Sequence, residues 1–355
     1  MAVNDAIQRL RDYIHSNNID AVILNRRSSF AWFSQCESSM NFYTDFGLGY
    51  IYVDKNDVFY YTSNNEAPRI EREIFKGVIP VKSYSWVDGP AKNVAELISG
   101  KKVNGDFGFN GVKEDFANIK KLRYSLFDDQ IAIARELGKT SASILEKTMK
   151  NIKPGLTEYQ IEAEIRYAFG KENIELPVLL IASDDNLNVY RHPLATSKIA
   201  NERFMAVLCP RYKGVVIALS RILYFRKRTE QEKKRDETIC KINNLLMNET
   251  NIGTDSKTLW DFMVKTYKEE GVETEYFNHH QGGAIGFESR EWILRPTLQE
   301  TIYKNQMIAY NPTLIGTKAE ETLLMLEGSK EILTIGNDFP TLTHSGMTST
   351  LPLEK

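Results

Sequence analysis

The pattern of apolar residues changes about one third of the way along the chain. Up to about residue 120, short apolar runs such as Ala21-Val-Ile-Leu24 alternate with amphipathic stretches such as Ala6–Ile14, which is typical of a small α/β domain. From Gln130 to Lys150 the spacing predicts one long amphipathic helix instead. Because domains commonly hold roughly 100–200 residues, we predict two domains, residues 1–124 and residues 125–355.

The second part of the chain carries strong local signals for helix ends. Lys153-Pro-Gly155 predicts the end of the long helix, since proline and glycine stop helices. Thr157-Glu-Tyr-Gln160 predicts a capping box at the start of the next helix. Further strands and helices are predicted at Pro177–Ala182, Phe204–Cys209, Gly214–Ala218, Gln231–Glu249, Ser256–Glu270, Met307–Asn311 and Thr322–Leu326.

Composition excludes several classes of protein. The formal net charge is −2, so no bulk field draws the chain to nucleic acid or to anionic lipid. The polar N-terminus predicts no signal peptide, and no run of 18 apolar residues predicts a membrane span. The three cysteines, Cys36, Cys209 and Cys240, are far apart and form no CxxC pair. These features predict a cytoplasmic protein that binds neither nucleic acid nor membrane.

Histidine is scarce, because the chain has only five such residues and no HxxxH or HExxH motif. His192 lies in Arg191-His-Pro193, directly after a region of predicted strand. A histidine fixed beside a proline is a candidate general acid or base. The alternative is a structural histidine, and the residues themselves leave both open.

The most unusual stretch is His279-His-Gln-Gly-Gly-Ala-Ile-Gly286, which Arg290 follows closely. Gly282, Gly283 and Gly286 indicate a close approach of backbones or positive φ angles. Two histidines before these glycines and an arginine after them favour a pocket wall. The alternative is a glycine-rich turn with solvated histidines, whereas a phosphate-binding loop is disfavoured because no P-loop lysine follows.

Three charged residues complete the set of candidates. Glu320 and Glu321 lie at the start of a predicted strand, where paired acids are usually solvated. Arg221 follows a run with almost no charge, so it is either a substrate contact or a structural ion pair.

Six short segments occur in a fixed order, namely Pro154–Glu158, Arg191–Pro193, Arg211–Arg221, His279–Gly286, Asn311-Pro312 and Gly316–Glu320. Together they resemble the M24 peptidase superfamily, which includes methionine aminopeptidase, prolidase, Xaa-Pro aminopeptidase and creatinase. The resemblance covers about residues 130–340, and Phe30-Ala-Trp32 with Asn65-Glu-Ala-Pro-Arg69 extends it to the N-terminal domain of creatinase and prolidase. It implies an α/β (α+β) fold, with a small N-terminal α/β domain followed by a pita-bread domain.

The same resemblance implies that most of the family's metal ligands are missing. Active peptidases of this family hold two metal ions with two aspartates, a histidine and two glutamates. The matching positions here are Val207, Ala218, Gly283, Asn311 and Glu320. Only Glu320 can act as a ligand, and one ligand cannot hold two hard divalent ions. No metal and no other cofactor is therefore expected.

The resemblance implies a role for each remaining residue. His192 matches the histidine that creatinase uses as its acid/base, and Glu320 would orient a histidine or a cationic group of the substrate. We expect a metal-independent, creatinase-like hydrolase or C–N lyase acting on a small amino-acid-like or amide substrate. Contacts to that substrate are predicted for His279, His280, Arg290, Arg191, Arg221 and Trp32.

Two alternatives stay open. One is a conventional metal-dependent Xaa-Pro dipeptidase or aminopeptidase acting on dipeptide-like substrates. The other is an inactive pita-bread module that binds peptides. The family also implies a homodimer, in which Arg26, Arg27 and Trp32 of one subunit contribute to the pocket of the other.

Overall fold

The computed structural model describes residues 2–36, 44–109 and 111–355. The chain divides into two compact units. The first comprises Met1–Gln130 with Lys213–Val215, and the second comprises Ile131–Tyr212 with Val216–Lys355. The predicted boundary between residues 124 and 125 stays a prediction, because compactness alone does not show which part folds by itself.

The first unit is a mixed six-stranded sheet flanked by helices. The sheet order is β4-β3-β2-β1-β5-β6; β1 pairs antiparallel with β2 and parallel with β5. A π-helical turn at Ile70–Phe75 and a 3₁₀ turn at Lys120–Arg123 complete the unit. Its elements are α1 (Ala2–Asn17), β1 (Ala21–Arg26), α2 (Arg27–Ser34), β2 (Phe46–Asp54), β3 (Val58–Ser63), α3 (Ala67–Arg69), β4 (Val81–Tyr84), α4 (Gly89–Leu97), β5 (Val103–Gly105), β6 (Val112–Glu114) and α5 (Phe116–Ile119).

The core of the first unit forms where the apolar run of β1 meets the aromatic face of β2. Ala21 and Ile23 are fully buried there beside Tyr52 and Phe59, whose rings stack with centroids 4.8 Å apart. Burying these side chains contributes about 1.5–3 kcal/mol for each large one. The central strand of this sheet is therefore the short apolar run that the sequence shows.

The second unit places helices against antiparallel sheets. One sheet has the order β20-β10-β8-β7 and another has the order β12-β11-β13-β16-β17. Its elements are α6 (Asp128–Asn151), α7 (Glu158–Gly170), β7 (Glu175–Ser183), α8 (Asn186–Val189), β8 (Arg203–Tyr212), β9 (Val215–Val216), β10 (Leu219–Tyr224), α9 (Glu230–Glu249), α10 (Ser256–Glu269), β11 (Gly282–Ile285), β12 (Trp292–Ile293), β13 (Met307–Tyr310), β14 (Thr313–Leu314), β15 (Thr317–Lys318), β16 (Glu321–Leu326), β17 (Ser329–Ile332), β18 (Thr341–His344), β19 (Met347–Thr350) and β20 (Leu353–Glu354).

Local signals in the sequence fix several of these boundaries. The predicted capping box of α7 is confirmed: Thr157 accepts from the Gln160 amide, and Gln160 accepts from the Thr157 amide at 2.9 Å. A second capping box starts α9 at Thr229 and Glu232, which the sequence analysis did not identify. Such a cap contributes about 1 kcal/mol.

The strand predicted at Gly214–Ala218 differs from the strands that the structure shows. The run Gly214–Ala218 forms only the short β9, and the longer strand β10 follows it at Leu219–Tyr224.

The α/β (α+β) class is confirmed. Among the described residues, none of the helices combines the length and the apolar character that a membrane crossing needs.

Candidate active site

Three histidines meet in the second unit. The Nε2 atoms of His192 and His279 are 3.0 Å apart, and the rings of His279 and His280 stack with centroids 4.3 Å apart. One ring nitrogen from each of the three lies within 4.8 Å of the others. His192 is exposed, His280 is half-buried and His279 is buried. The cluster therefore leads from the surface of the unit into its interior.

The glycines after the histidines hold this arrangement in place. Gly282 has φ +96° and Gly283 has φ +156°, both in a region that favours glycine. A Cβ at Gly282 would overlap the Ala309 carbonyl oxygen, and one at Gly283 would overlap that of Trp292. The prediction of a close approach between backbones is confirmed. This close approach lets β11 pair with both β12 and β13 directly after the two histidines.

All three histidines favour the neutral form. Burial, together with the charge of Lys318 and the neighbouring histidines, lowers the pKa of His279 to about 2. Burial and the charges of Arg290 and Lys318 lower the pKa of His280 to about 4. Burial and the same two cations also lower the pKa of His192, although Glu320 opposes this. Near pH 7 each ring is therefore neutral and has one nitrogen lone pair.

A buried ion cluster borders the histidines. Glu320 accepts from Arg290 Nη2 at 3.0 Å and from Ser220 Oγ at 2.5 Å, and it pairs with Lys318 Nζ at 3.5 Å. Burial alone would raise the pKa of Glu320, but Lys318 and Arg290 hold it below its usual value. The alternative that Glu320 and Glu321 are solvated is wrong, because their residues are 2% and 1% exposed.

Lys318 is the functional candidate that the sequence analysis missed. Its side chain is 2% exposed, and its charge affects the titration of every member of the histidine cluster. A signal was present, because Lys318 and Glu320 are two residues apart in extended chain and such residues share a face. Burial raises the pKa of the Cys209 thiol, although the charges of Arg290 and Lys318 act to lower it.

Arg221 does not serve the substrate as predicted, because it belongs to a different buried cluster. It donates to Glu146 at 2.9 Å, to Glu321 at 3.1 Å, and to the carbonyl oxygens of Ser220 and Thr334. Its side chain is 0% exposed. Of the two sequence interpretations of Arg221, the structural ion pair is the correct one.

Two further predicted contacts are bound up in other interactions. Trp32 lies in the interior of the first unit, 1% exposed and stacked on Phe127 with centroids 6.1 Å apart. An indole buried in this way does not reach the pocket of another subunit, so that prediction is wrong. Arg191 directly precedes His192 in the chain, but its guanidinium pairs with Glu275 at 3.4 Å.

The family can be determined from the second unit. The model of metallopeptidase family M24 matches residues 132–329, which carry the histidine cluster and its ion cluster. The chain belongs to metallopeptidase family M24. It is a member of a family of hydrolases, as the resemblance in sequence implied.

Relatives of this M24 chain share its length as well as its fold. The Xaa-Pro dipeptidase of Pyrococcus horikoshii is 22% identical over 356 residues, covering 94% of this chain and 97% of that protein. The crystal structure of the prolidase from Pyrococcus horikoshii OT3 has a TM-score of 0.80 at 17% identity, covering 94% of this chain and 99% of that one. The N-terminal domain of the FACT complex subunit SPT16 from chickpea has a TM-score of 0.71 at 11% identity, with 94% and 95% covered.

The M24 chain does not fit the pair of metal ions that its family implies. Val207 packs in an apolar cluster with Met205 and Ile222. Ala218 has no ligand atom in its side chain, and Gly283 has no room for any side chain. The one remaining carboxylate, Glu320, is already neutralised by Lys318 and Arg290. One engaged ligand cannot replace the several carboxylate oxygens that hard divalent ions require.

A single transition metal would meet a different set of ligands. Three imidazoles are a known ligand set for zinc, and the three histidines are close enough together to supply it. However, His280 Nδ1 accepts from the Gly282 amide at 3.3 Å, which leaves the proton of a neutral ring on Nε2. The nearby Lys318 and Arg290 also repel a cation. The charges around the cluster therefore favour an anion over a metal cation.

Proposed function

We propose that this M24 chain hydrolyses a C–N bond in a small amino-acid-like or amide substrate without a pair of metal ions, and that His192 is its general acid/base. The observation that carries the proposal is the 3.0 Å contact between His192 Nε2 and His279 Nε2. Between two neutral imidazoles, this contact requires one N–H and one lone pair. His279 therefore orients the ring of His192, and the tautomer of one ring selects the complementary tautomer of the other.

The electrostatics of the site support the order of proton transfers. His192 is exposed and its pKa is lowered, so it begins the cycle as a neutral base. It would take a proton from a water molecule as that water attacks the carbonyl or guanidino carbon. The same proton would then pass to the leaving nitrogen as the C–N bond breaks, which restores the neutral imidazole.

Charge that develops on the substrate needs a counter-charge. Lys318 and Arg290 lie close enough to His192 to lower its pKa, and they carry one positive charge more than Glu320 neutralises. Fixed positive charge in a buried site stabilises an oxyanion more strongly than it does in water. The ion cluster would thus supply what metal ions supply in other members of the family.

The proposal can be tested on the full chain, purified untagged and without chelator. Small amides and guanidino acids are screened for turnover, and elemental mass spectrometry measures bound metal. His192→Ala should lower kcat/KM by about 10²–10⁴. His344→Ala is the matched control, because His344 lies on β18 and outside the three-histidine group; it should leave kcat/KM unchanged.

Several outcomes would overturn the proposal. Equal turnover by His192→Ala would remove its role as acid/base. Two tightly bound manganese or zinc ions per chain, with hydrolysis of Xaa-Pro dipeptides, would favour the metal-dependent alternative that the names of the relatives suggest. One transition-metal ion per chain would assign the three histidines as its ligands.

Binding without turnover would favour the third alternative, a peptide-binding module. A domain of the same fold occurs in a subunit of the FACT complex. A homodimer and a cytoplasmic location also stay predictions; analytical ultracentrifugation tests the first and imaging of the tagged chain tests the second.

A further inference from the structure

Lys318 is far more buried than nine other lysines that form ion pairs in the described part of the chain. Its side chain is 2% exposed, whereas those of the nine are at least 27% exposed. Within the described residues, Lys318 pairs with Glu320 at 3.5 Å. A buried ammonium is costly unless it is paired and fully hydrogen-bonded. Its burial here therefore needs a reason.

The charges around Lys318 do not cancel. Lys318 and Arg290 are two cationic groups that face the one carboxylate of Glu320, so the cluster carries one net positive charge while Lys318 is protonated. Burial lowers the pKa of the Lys318 ammonium, and the pair with Glu320 opposes this. Ser220 and the Cys209 thiol add none, because burial raises the pKa of the thiol. The three neighbouring histidines favour their neutral forms.

Polar atoms in the same cluster lack partners. Arg290 Nε and His279 Nδ1 are buried and have no hydrogen-bond partner within the described residues. The His279 residue is 7% exposed, and Lys318 pairs with Glu320. Buried polar atoms without a partner are costly, and each one in a native structure needs an explanation, such as a bound ion or water or a catalytic role.

We propose that Lys318 and Arg290 form a binding site for one carboxylate group, so that a lysine ammonium takes the charge role that the family's fold gives to metal ions. The excess of one charge selects a monoanion. The unpaired Arg290 Nε and the Lys318 ammonium supply the donors. The inference rests on the proposed function only in placing the carboxylate on the amino-acid-like substrate of the same site.

Histidine signals in NMR spectra can test this directly with acetate as the probe. Only five histidines are present; His192, His279 and His280 report on the site, while His15 and His344 serve as internal references. Acetate is titrated at constant ionic strength against chloride, with inorganic phosphate in a parallel arm. In the parent chain, acetate should shift the three site signals with saturation and leave the two references in place.

The variants should change the acetate affinity in opposite directions. Lys318→Met removes the excess charge and should weaken acetate at least tenfold. Glu320→Gln raises the excess to two charges and should tighten acetate severalfold. Lys257→Met is the matched control, because Lys257 is 69% exposed and pairs with Asp261 on α10; it should leave the affinity unchanged.

Three results would overturn the inference. Lys318→Met could bind acetate as the parent does. Glu320→Gln could weaken acetate, which would mean that the carboxylate of Glu320, and not the excess charge, organises the site. Phosphate could bind more tightly than acetate, which would contradict the selection of a monoanion. If Lys318→Met does not fold, the Glu320→Gln arm still decides. Since acetate is not hydrolysed, these outcomes are independent of any failure to find turnover.

Discussion

Glu320 and Glu321 are adjacent in the sequence and equally buried, yet they belong to opposite kinds of buried cluster. Glu320 meets Lys318 and Arg290 beside the three histidines, and its cluster carries an excess positive charge with unpaired donors. Glu321 meets Arg221, and its cluster is closed by hydrogen bonds. The comparison suggests that incomplete hydrogen bonding, and not burial of charge alone, distinguishes a site from a structural ion pair.

The two clusters are separated by the alternation of side chains along extended backbone. The same alternation appears on β10, where Ser220 contacts Glu320 and the next residue, Arg221, contacts Glu321. The Ser220 amide donates to the Glu320 carbonyl oxygen at 3.3 Å, which brings both pairs together. This one backbone hydrogen bond therefore positions residues of two clusters that have different properties.

The cluster around Glu321 meets the requirements of a structural ion pair. Arg221 bridges Glu321 and Glu146, and Glu321 also accepts from Thr334 Oγ1 and from the Thr350 amide and hydroxyl. Burial nevertheless raises the pKa of Glu321, and Arg221 only partly offsets this. In contrast, the pKa of Glu320 is lowered. The hydrogen-bonded cluster around Glu321, here called the closed cluster, therefore favours a less ionised carboxyl. The cluster around Glu320, here called the open cluster, favours an ionised one.

The largest expected effect comes from opening the closed cluster. Arg221→Met would leave Glu146 and Glu321 buried without their cation, and breaking a buried pair in this way costs about 3–5 kcal/mol. Urea unfolding at pH 7 measures the loss. A variant as stable as the parent would contradict the structural role of Arg221 and would favour its interpretation as a substrate contact.

A smaller effect is expected from the neighbouring glutamates, and it should separate stability from binding. Glu321→Gln loses part of its set of accepted hydrogen bonds and should destabilise the fold by about 1–3 kcal/mol. It should leave acetate affinity within twofold of the parent, whereas Glu320→Gln changes that affinity. Unfolding curves and the histidine titration, done on both variants, measure the two properties. If Glu321→Gln alters acetate binding as strongly as Glu320→Gln does, the two clusters are not independent.

The open cluster should also make the protein sensitive to acid. The pKa of His279 is lowered from its usual value of 6.5 to about 2, so between these values the unfolded chain binds one more proton at this residue. Stability should therefore fall as the pH decreases below about 6.5, by up to about 1.4 kcal/mol per pH unit for this histidine. His279→Gln should flatten that slope between pH 7 and pH 5 in urea unfolding experiments.

A control distinguishes this effect from general acid denaturation. His15→Gln removes a histidine of α1 that lies outside the cluster, and it should leave the slope unchanged. Equal slopes for His279→Gln and the parent would mean that the buried histidine does not carry the acid sensitivity.

The smallest expected effect concerns the hydrogen bond between Ser220 Oγ and Glu320, at 2.5 Å. Ser220→Ala should cost about 1 kcal/mol, because Lys318 and Arg290 still neutralise the carboxylate. With one accepted bond fewer, Glu320 should hold the two cations more closely and weaken acetate slightly. A loss of stability as large as that of Arg221→Met would show that the cluster at Glu320 is also structural.

Features that depend on near neighbours in the chain could be predicted well. The capping box of α7 joins residues three apart, and the long helix predicted at Gln130–Lys150 is observed as α6. The order of six short segments predicted the family, which the match over residues 132–329 confirms. Gly282 and Gly283 also fulfil their predicted role.

Features that depend on distant partners could not be predicted. Phe107 is apolar but lies outside β5, which ends at Gly105, and it packs into the core of the first unit. Sequence alone left Arg221 open between two roles. It gave no indication that the indole of Trp32 is buried in its own unit.

The sequence by itself therefore determined the family, the class of fold and the local helix ends, because each depends on residue identity or on contacts within a few residues. The tertiary structure alone decided that Lys318 accompanies Glu320 in the interior and that Arg221 does not. Arg290 and Ser220 lie 30 and 100 residues from Glu320, and Thr334 lies 113 residues from Arg221. Alternation along a strand separates neighbouring side chains, but only the packing of the sheets determines which of them reaches the histidines.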